Sequence, residues 1–370
     1  MNSSKGKMIA TGGIIGLISA ILVRFGNPVN MGVCVACFFR DIAGGLGLHR
    51  AAVVQYLRPE ISGFILGSFG MAKLKGDYKA RGGSSPVIRF ILGFFLMVGA
   101  LVFLGCPLRM ILRLANGDLN AVTGLVGYVV GIYIGIQFLK MGFTLGKSTS
   151  APQAAGYTMP ILAVAIIVLL LAAPTFIFFS ESGPGSMAAP WLLSLGAGLL
   201  IGGLLQRTRL CTAGGFRDAI LIKDFHYMFG LIGIFAFALL GNLIFNFEAF
   251  KIGFVGQPIA HNAHLWNFLG MALAGITAVL LGGCPLRQTI LAGEGDTDAV
   301  ITIFGLMAGA AFAHNFGLAA SPQGVGLNGK IAVMVGFVVV IAIGFSVVAS
   351  VKKERASRLM KDQGGAVNVG

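Results

Sequence analysis

Long apolar runs recur along the chain, separated by short polar breaks. A bilayer core of about 30 Å takes roughly 20 apolar residues in a helix. On that scale the pattern predicts ten spans, near 8–25, 52–72, 88–105, 121–144, 158–180, 191–206, 227–247, 265–283, 299–320 and 329–350. The run at 8–23 follows Lys5 and Lys7 as a secretory leader would. It lacks a convincing small-residue cleavage site, so it is read as a retained first span. The segment 191–206 is the shortest and is rich in glycine.

The polar breaks carry a charge pattern. Lys5 and Lys7 precede the first span, and Lys73, Lys75, Lys79, Arg81 and Arg89 lie between the second and third. Lys140 and Lys147 follow the fourth. Arg207, Arg209, Arg217 and Lys223 separate the sixth and seventh, and Lys352, Lys353, Arg355 and Arg358 follow the tenth. With ten spans all these breaks fall on one side, and the opposite side receives the acidic 181–185 and the uncharged 321–328. The excess of basic residues marks the cytoplasmic face, so both termini are expected there.

Composition agrees. Hydrophobic residues make up 56% of the 370 and charged residues 11%, where a soluble chain carries roughly 25% charged. The mean hydropathy is +0.88. The fold class is therefore an all-α polytopic membrane protein. The net charge of +14 is accounted for by the orienting loops, and nucleic acid is not an expected partner; membrane lipid is. Five cysteines, most beside apolar segments, do not make a disulfide framework.

The chain repeats itself. Cys34-Val-Ala-Cys-Phe-Phe-Arg40-Asp41, with His49, aligns with Cys211-Thr-Ala-Gly-Gly-Phe-Arg217-Asp218, with His226, 177 positions on. Gly105-Cys106-Pro107-Leu-Arg109 aligns with Gly283-Cys284-Pro285-Leu-Arg287, 178 positions on, and Gly117-Asp118 with Gly295-Asp296 at the same offset. Three blocks in one register indicate a duplication. The first half covers 1–180 and the second 191–351, with 352–370 a cytoplasmic tail. Five spans separate equivalent positions. The second half should thus cross the membrane inverted, the repeat typical of secondary transporters, whose site forms between the halves.

Segments 27–50 and 202–223 are neither clean spans nor ordinary loops. Each reads as a re-entrant piece, because irregular backbone at membrane depth persists only inside protein or along a cavity; an interfacial helix is the alternative. In GCPLR, glycine permits the preceding helix to end and proline suits the first position of a new one. Cys106 and Cys284 then sit at helix N-termini, where free N–H groups favour negative charge. Arg109 and Arg287 follow half a turn on. The spacing points to an anion site, or to thiols biased toward thiolate. Alternatives are inert buried cysteines and a thiolate zinc site, although Cys34 and Cys37 form the only close pair and lack a histidine companion.

Arg40-Asp41 and Arg217-Asp218 are sequence neighbours and are not expected to face each other on a helix. Each should pair with another element, holding the re-entrant turn or drawing substrate to the mouth. Asp118, Asp296 and Asp298 are expected to cap the next span or neutralise an arginine. His49 and His226 read as interfacial or internally satisfied.

The duplicated GCPLR, the Cys34 and Cys211 blocks and the glycine-rich spans, over about 8–349, resemble the YeeE/YedE family of sulfur-transport membrane proteins. Within it the chain looks more like the selenium-associated YedE branch than the shorter thiosulfate carriers. The resemblance implies uptake of thiosulfate, or of a related sulfur- or selenium-containing anion, across the bacterial inner membrane. It further implies that Cys34, Cys106 and Cys284 contact the sulfur end of the substrate in turn, with Cys211 added by repeat symmetry. Cys37 has no counterpart, since the second half has Gly214. No cofactor and no resident metal are implied; a cytoplasmic protein accepting sulfur or selenium is a further expected partner. The competing class is a membrane thiol oxidoreductase or sulfur-transferring enzyme using Cys34 and Cys37, for which the chain has no Rossmann fingerprint, haem motif or dense histidine cluster.

Overall fold

The computed structural model describes residues 2–365; the last five positions of the expected tail lie outside the described residues. The first half runs through α1 (Asn2–Arg24), α2 (Val35–Gly45), α3 (Pro59–Leu74), α4 (Pro86–Phe103), α5 (Pro107–Ala115), α6 (Asn120–Lys140), the single turn α7 (Gln153–Gly156) and α8 (Thr158–Ala172). The second runs through α9 (Trp191–Thr208), α10 (Thr212–Leu221), α11 (His226–Phe245), α12 (His264–Leu280), α13 (Pro285–Gly293), α14 (Thr297–Asn315) and α15 (Leu327–Gly365). A two-residue ladder pairs β1 (Arg81–Gly82) with β2 (Thr149–Ser150), antiparallel. The chain is an all-α, multi-pass membrane protein.

Among the described residues, seven helical stretches are long and apolar enough to cross a bilayer. Two of them, Pro86–Ala115 and His264–Gly293, join a span to the short helix beyond GCPLR. The remaining expected segments become α3, α8 and α9, and their limits have local causes. Helix α3 starts at Pro59 rather than near 52, because Arg58 is extended before a proline at the first helical position. Helix α8 ends at Ala172, with Ala173 left-handed just ahead of Pro174. Within the stretch 202–223, residues 202–208 complete α9 and 212–221 form α10.

Helix packing relies on glycine. Gly127 and Gly131 of α6 lie against the backbones of Phe268 and Ala272 of α12; Gly305 and Gly309 of α14 lie against those of Phe90 and Phe94 of α4. Each contact in one set maps onto the other by a shift of 178. Lipid provides no hydrophobic drive for helices to associate, so close van der Waals approach at small residues does it. Helices α1 with α11, and α3 with α9, pair in the same fashion. The equivalent helices α4 and α12 cross each other antiparallel: Gly99 faces Gly270 and Ala274, while Gly270 faces Phe103. The correspondence stops at α8, which rests on α3, and α15, which rests on α4 and α12.

The short helices are shared between halves. Helix α2 packs on α14, and α10 on α6. Every residue of α2 is buried, although it carries Arg40 and Asp41. These two bond each other, at 2.6 Å, against the expectation that neighbours point apart. The arginine stem is long enough to fold its guanidinium back over the next side chain. Asp41 also accepts from Arg58 at 2.8 Å, and Arg58 donates to the carbonyls of Pro184 and Met187. Arg217 and Asp218 repeat the neighbour pair at 2.8 Å.

Loops meet in two groups. Residues 46–58 bond to the 173–190 connection, through Gln55 to Ser180 and Gly185 to Val53, and Asn315 reaches Leu48. The 73–89 loop bonds to Ala151 and to the start of α14. There Asp298 accepts from Gly83 and from the Ser84 hydroxyl, and Asp296 caps α14 while pairing with Arg81 at 2.9 Å. Asp118 binds Arg113 at 2.6 Å. The three aspartates thus act as caps and counter-charges.

Candidate functional site

Four of the five cysteines occupy one structural position each: the N-cap residue of a short helix whose first turn is buried. Cys34 caps α2, Cys106 caps α5, Cys211 caps α10 and Cys284 caps α13. Pro107 and Pro285 stand at the first helical positions, as the GCPLR spacing predicts. Gly105 and Gly283 precede the caps; a β-carbon on either would run into the stem of Arg109 or Arg287. The Cys34 sulfur accepts the Cys37 backbone N–H at 3.4 Å, and the Cys211 sulfur that of Gly214 at 3.4 Å. A helix start offers unpaired N–H groups and the positive end of the macrodipole. The thiols sit where a soft anion would be held.

They gather in two clusters. Cys34 Sγ is 3.7 Å from Cys106 Sγ, and Cys211 Sγ is 3.6 Å from Cys284 Sγ. The Cys284 backbone N–H also donates to the Cys211 sulfur, at 3.5 Å. Two short helices from one half therefore converge N-terminus to N-terminus at each cluster. All five thiols are free and buried.

The clusters differ around this common core. In the first, Cys37 joins, and the fully buried Arg109 donates to its sulfur at 3.2 Å. Arg109 also donates to the carbonyls of Asn30 and Ile259, and Asn30 bonds to the carbonyl of Pro258. A second-half loop thus roofs the first-half cluster. Ile259 has φ 48°, a left-handed conformation that a β-branched residue adopts only under constraint. Among the described residues no carboxylate lies within 4.0 Å of Arg109. In the second cluster Arg287 turns instead to Glu294, at 3.1 Å, and Glu294 is also approached by Arg81 at 3.8 Å.

The expected supporting pairs stay off the thiols and serve the frame. Arg40, Asp41 and Arg58 tie α2 to α3 and to the 173–190 connection. Arg217–Asp218 is more open, with Arg217 29% exposed. His49 bonds the Arg40 carbonyl at 3.0 Å and stacks on His314, an internally satisfied histidine; the backbone N–H of His226 bonds Asp224. Sequence reasoning missed Arg58, which sits in a break ahead of a proline, and Tyr128, one aromatic within a glycine-rich span. Tyr128 is fully buried, and among the described residues its hydroxyl makes no hydrogen bond of normal geometry, although it faces Thr212. No group of three or more histidine, cysteine, aspartate or glutamate side chains arranged to hold a metal occurs among the described residues.

Comparison with known proteins adds the following. Residues 207–366 match the family described as sulphur transport. The thiosulfate transporter TsuA of Escherichia coli (strain K12) is 30% identical over 145 residues, covering 37% of this chain and 36% of that protein. The thiosulfate transporter TsuA of Spirochaeta thermophila is 35% identical over 102 residues, covering 28% of this chain and 30% of that protein. The matches thus span about a third of the length of these curated relatives.

Proposed function

We propose, from the match of residues 207–366 to the sulphur-transport family, that the chain carries a small sulfur-containing anion of the thiosulfate kind across the cytoplasmic membrane. The observation that carries the reading is the pairing of four buried cysteines, each at the N-cap of a short helix, into two clusters with sulfurs 3.7 and 3.6 Å apart. A thiol is a weak donor and a polarizable acceptor. It can replace part of the hydration of a soft anion without binding so tightly that release fails. The substrate would pass from one thiol pair to the other, with Arg109 drawing negative charge to the first. A selenium anion of similar shape would meet the same groups, and a cytoplasmic protein would receive the cargo.

In this reading the two halves are inverted copies with both termini in the cytoplasm. The antiparallel crossing of α4 on α12 and the meeting of loops in two groups support it. A thiol oxidoreductase built on Cys34 and Cys37 is the competing class. It would turn over in detergent without vesicles and would fail in Cys37→Ser.

The test is uptake into reconstituted vesicles, comparing labelled thiosulfate, sulfite, selenite and sulfate. Thiosulfate should accumulate, sulfate should not, and Cys106→Ala or Cys284→Ala should abolish accumulation while the protein still inserts. Normal uptake by both variants would overturn the thiol route, and selenite as the preferred substrate would reassign the cargo.

A further inference from the structure

The duplication provides its own control for the second cluster. Thr212, the residue after the capping Cys211, corresponds to Val35, and Tyr128 corresponds to Leu306. Val35 and Leu306 are fully buried, so apolar side chains satisfy the fold at these positions in the other copy. Thr212 and Tyr128 are equally buried, at 1% and 0% exposure, and among the described residues neither hydroxyl makes a hydrogen bond of normal geometry, although the two lie beside each other and Thr212 beside the Cys284 thiol. Burying a hydroxyl without a partner destabilises a fold. Two such groups at one place, where the same architecture accepts valine and leucine, need another explanation.

Their position suggests one. Thr212 opens α10, with its side chain against the Cys284 sulfur. The Tyr128 ring packs edge-on against Phe216 of α10 at 6.0 Å. The polar groups that act on its hydroxyl are Thr212 and the thiols of Cys284, Cys211 and Cys106. Tyr128 thus stands over α10, beside the second cluster.

We propose that the Tyr128 and Thr212 hydroxyls recognise the oxygen-bearing end of the transported anion while the Cys211–Cys284 pair holds its sulfur end. Hydroxyls are strong donors to oxygen, and thiols are suited to sulfur. A substrate that fits both must combine a terminal sulfur with oxygens on one small anion. Sulfate lacks the first and a polysulfide lacks the second. The inference rests on the transport reading above and assigns side chains to the oxygen end of the anion that reading names.

Tyr128→Phe, Thr212→Val and the double variant test it, each reconstituted in vesicles beside the wild-type protein. Tyr128→Phe keeps the ring and its contact with Phe216. Expected are a KM for thiosulfate raised about tenfold in each single variant and further in the double, with maximal rate little changed. Melting of the ligand-free protein in detergent should be unchanged or higher, because an unpaired buried hydroxyl has been removed. The upward melting shift that thiosulfate gives the wild type should largely vanish in the double variant. Wild-type KM in the double variant would overturn the proposal, as would lower ligand-free melting with KM intact, the sign of a structural role. A wild-type protein that moves no sulfur anion would instead end the transport reading, and this inference with it.

Discussion

The two cysteine clusters share one backbone plan and differ in what surrounds it. The first is built with charge: Arg109 has no carboxylate to answer it and turns to a thiol and two carbonyls, while the nearby Arg40–Asp41–Arg58 group is sealed from water. The second is built with hydroxyls, and its equivalent arginine is already balanced by Glu294. The motif GCPLR thus determines where a sulfur and a helix start will lie, not what its arginine will do. That depends on the facing loop. Position 259, opposite Arg109, is an isoleucine offering a carbonyl; position 81, its equivalent 178 residues earlier, is an arginine already bound to Asp296.

The contrast can be broken most severely at the buried charges. Asp41→Ala leaves Arg40 and Arg58 inside the protein with no counter-charge, and should cost about 3–5 kcal/mol of stability. The partly exposed equivalent, Asp218→Ala, should cost under about 1 kcal/mol. Thermal melting in detergent with size-exclusion recovery compares them; similar losses would mean the sealed group is not special. Next comes the arginine pair. Arg109→Gln should reduce thiosulfate uptake by roughly 10–100-fold, the scale of a charged hydrogen bond, with partial return in Arg109→Lys. Arg287→Gln should stay within a few-fold of wild type, and equal losses would show that Arg287 leaves Glu294 during transport.

A symmetric change sharpens the comparison from the other side. Gly131→Val and Gly309→Val press on equivalent backbone contacts, α6 on α12 and α14 on α4, and should each cost about 1–3 kcal/mol by overpacking. Unequal melting losses would show that the halves pack less alike than the matched contacts indicate. The smallest effect is expected for Glu294→Gln. It frees Arg287 to act as a second cation, so thiosulfate KM should fall by up to about threefold at low salt and return toward wild type at high salt, as screening requires.

Much of this molecule could be read from the chain alone. The run lengths identified the membrane class. The spacing of Gly105, Cys106 and Pro107 led to the helix start, because glycine and proline restrict the backbone in ways that need no tertiary partner. What escaped was set by partners distant in sequence. Asp41 was expected to pair away from Arg40, yet it holds that neighbour and Arg58 together, and nothing local marks Arg58 as buried. Tyr128 looked like any aromatic in a span. That its hydroxyl faces Thr212 appears only once α10 has been laid against α6.

The interleaving of the halves has a consequence of its own. Each short cysteine-capped helix rests on a long helix of the opposite copy, α2 on α14 and α10 on α6, so a lone copy would leave its turn uncovered. The chain behaves as a dimer whose subunits have been permanently joined. Two separate identical subunits must accept every mutation twice, once at each site. Fusion removes that restriction, and a valine on one side can become a threonine on the other without a matching change. In the proposed transport reading, an anion entering from one side would meet a different set of side chains from one entering from the other.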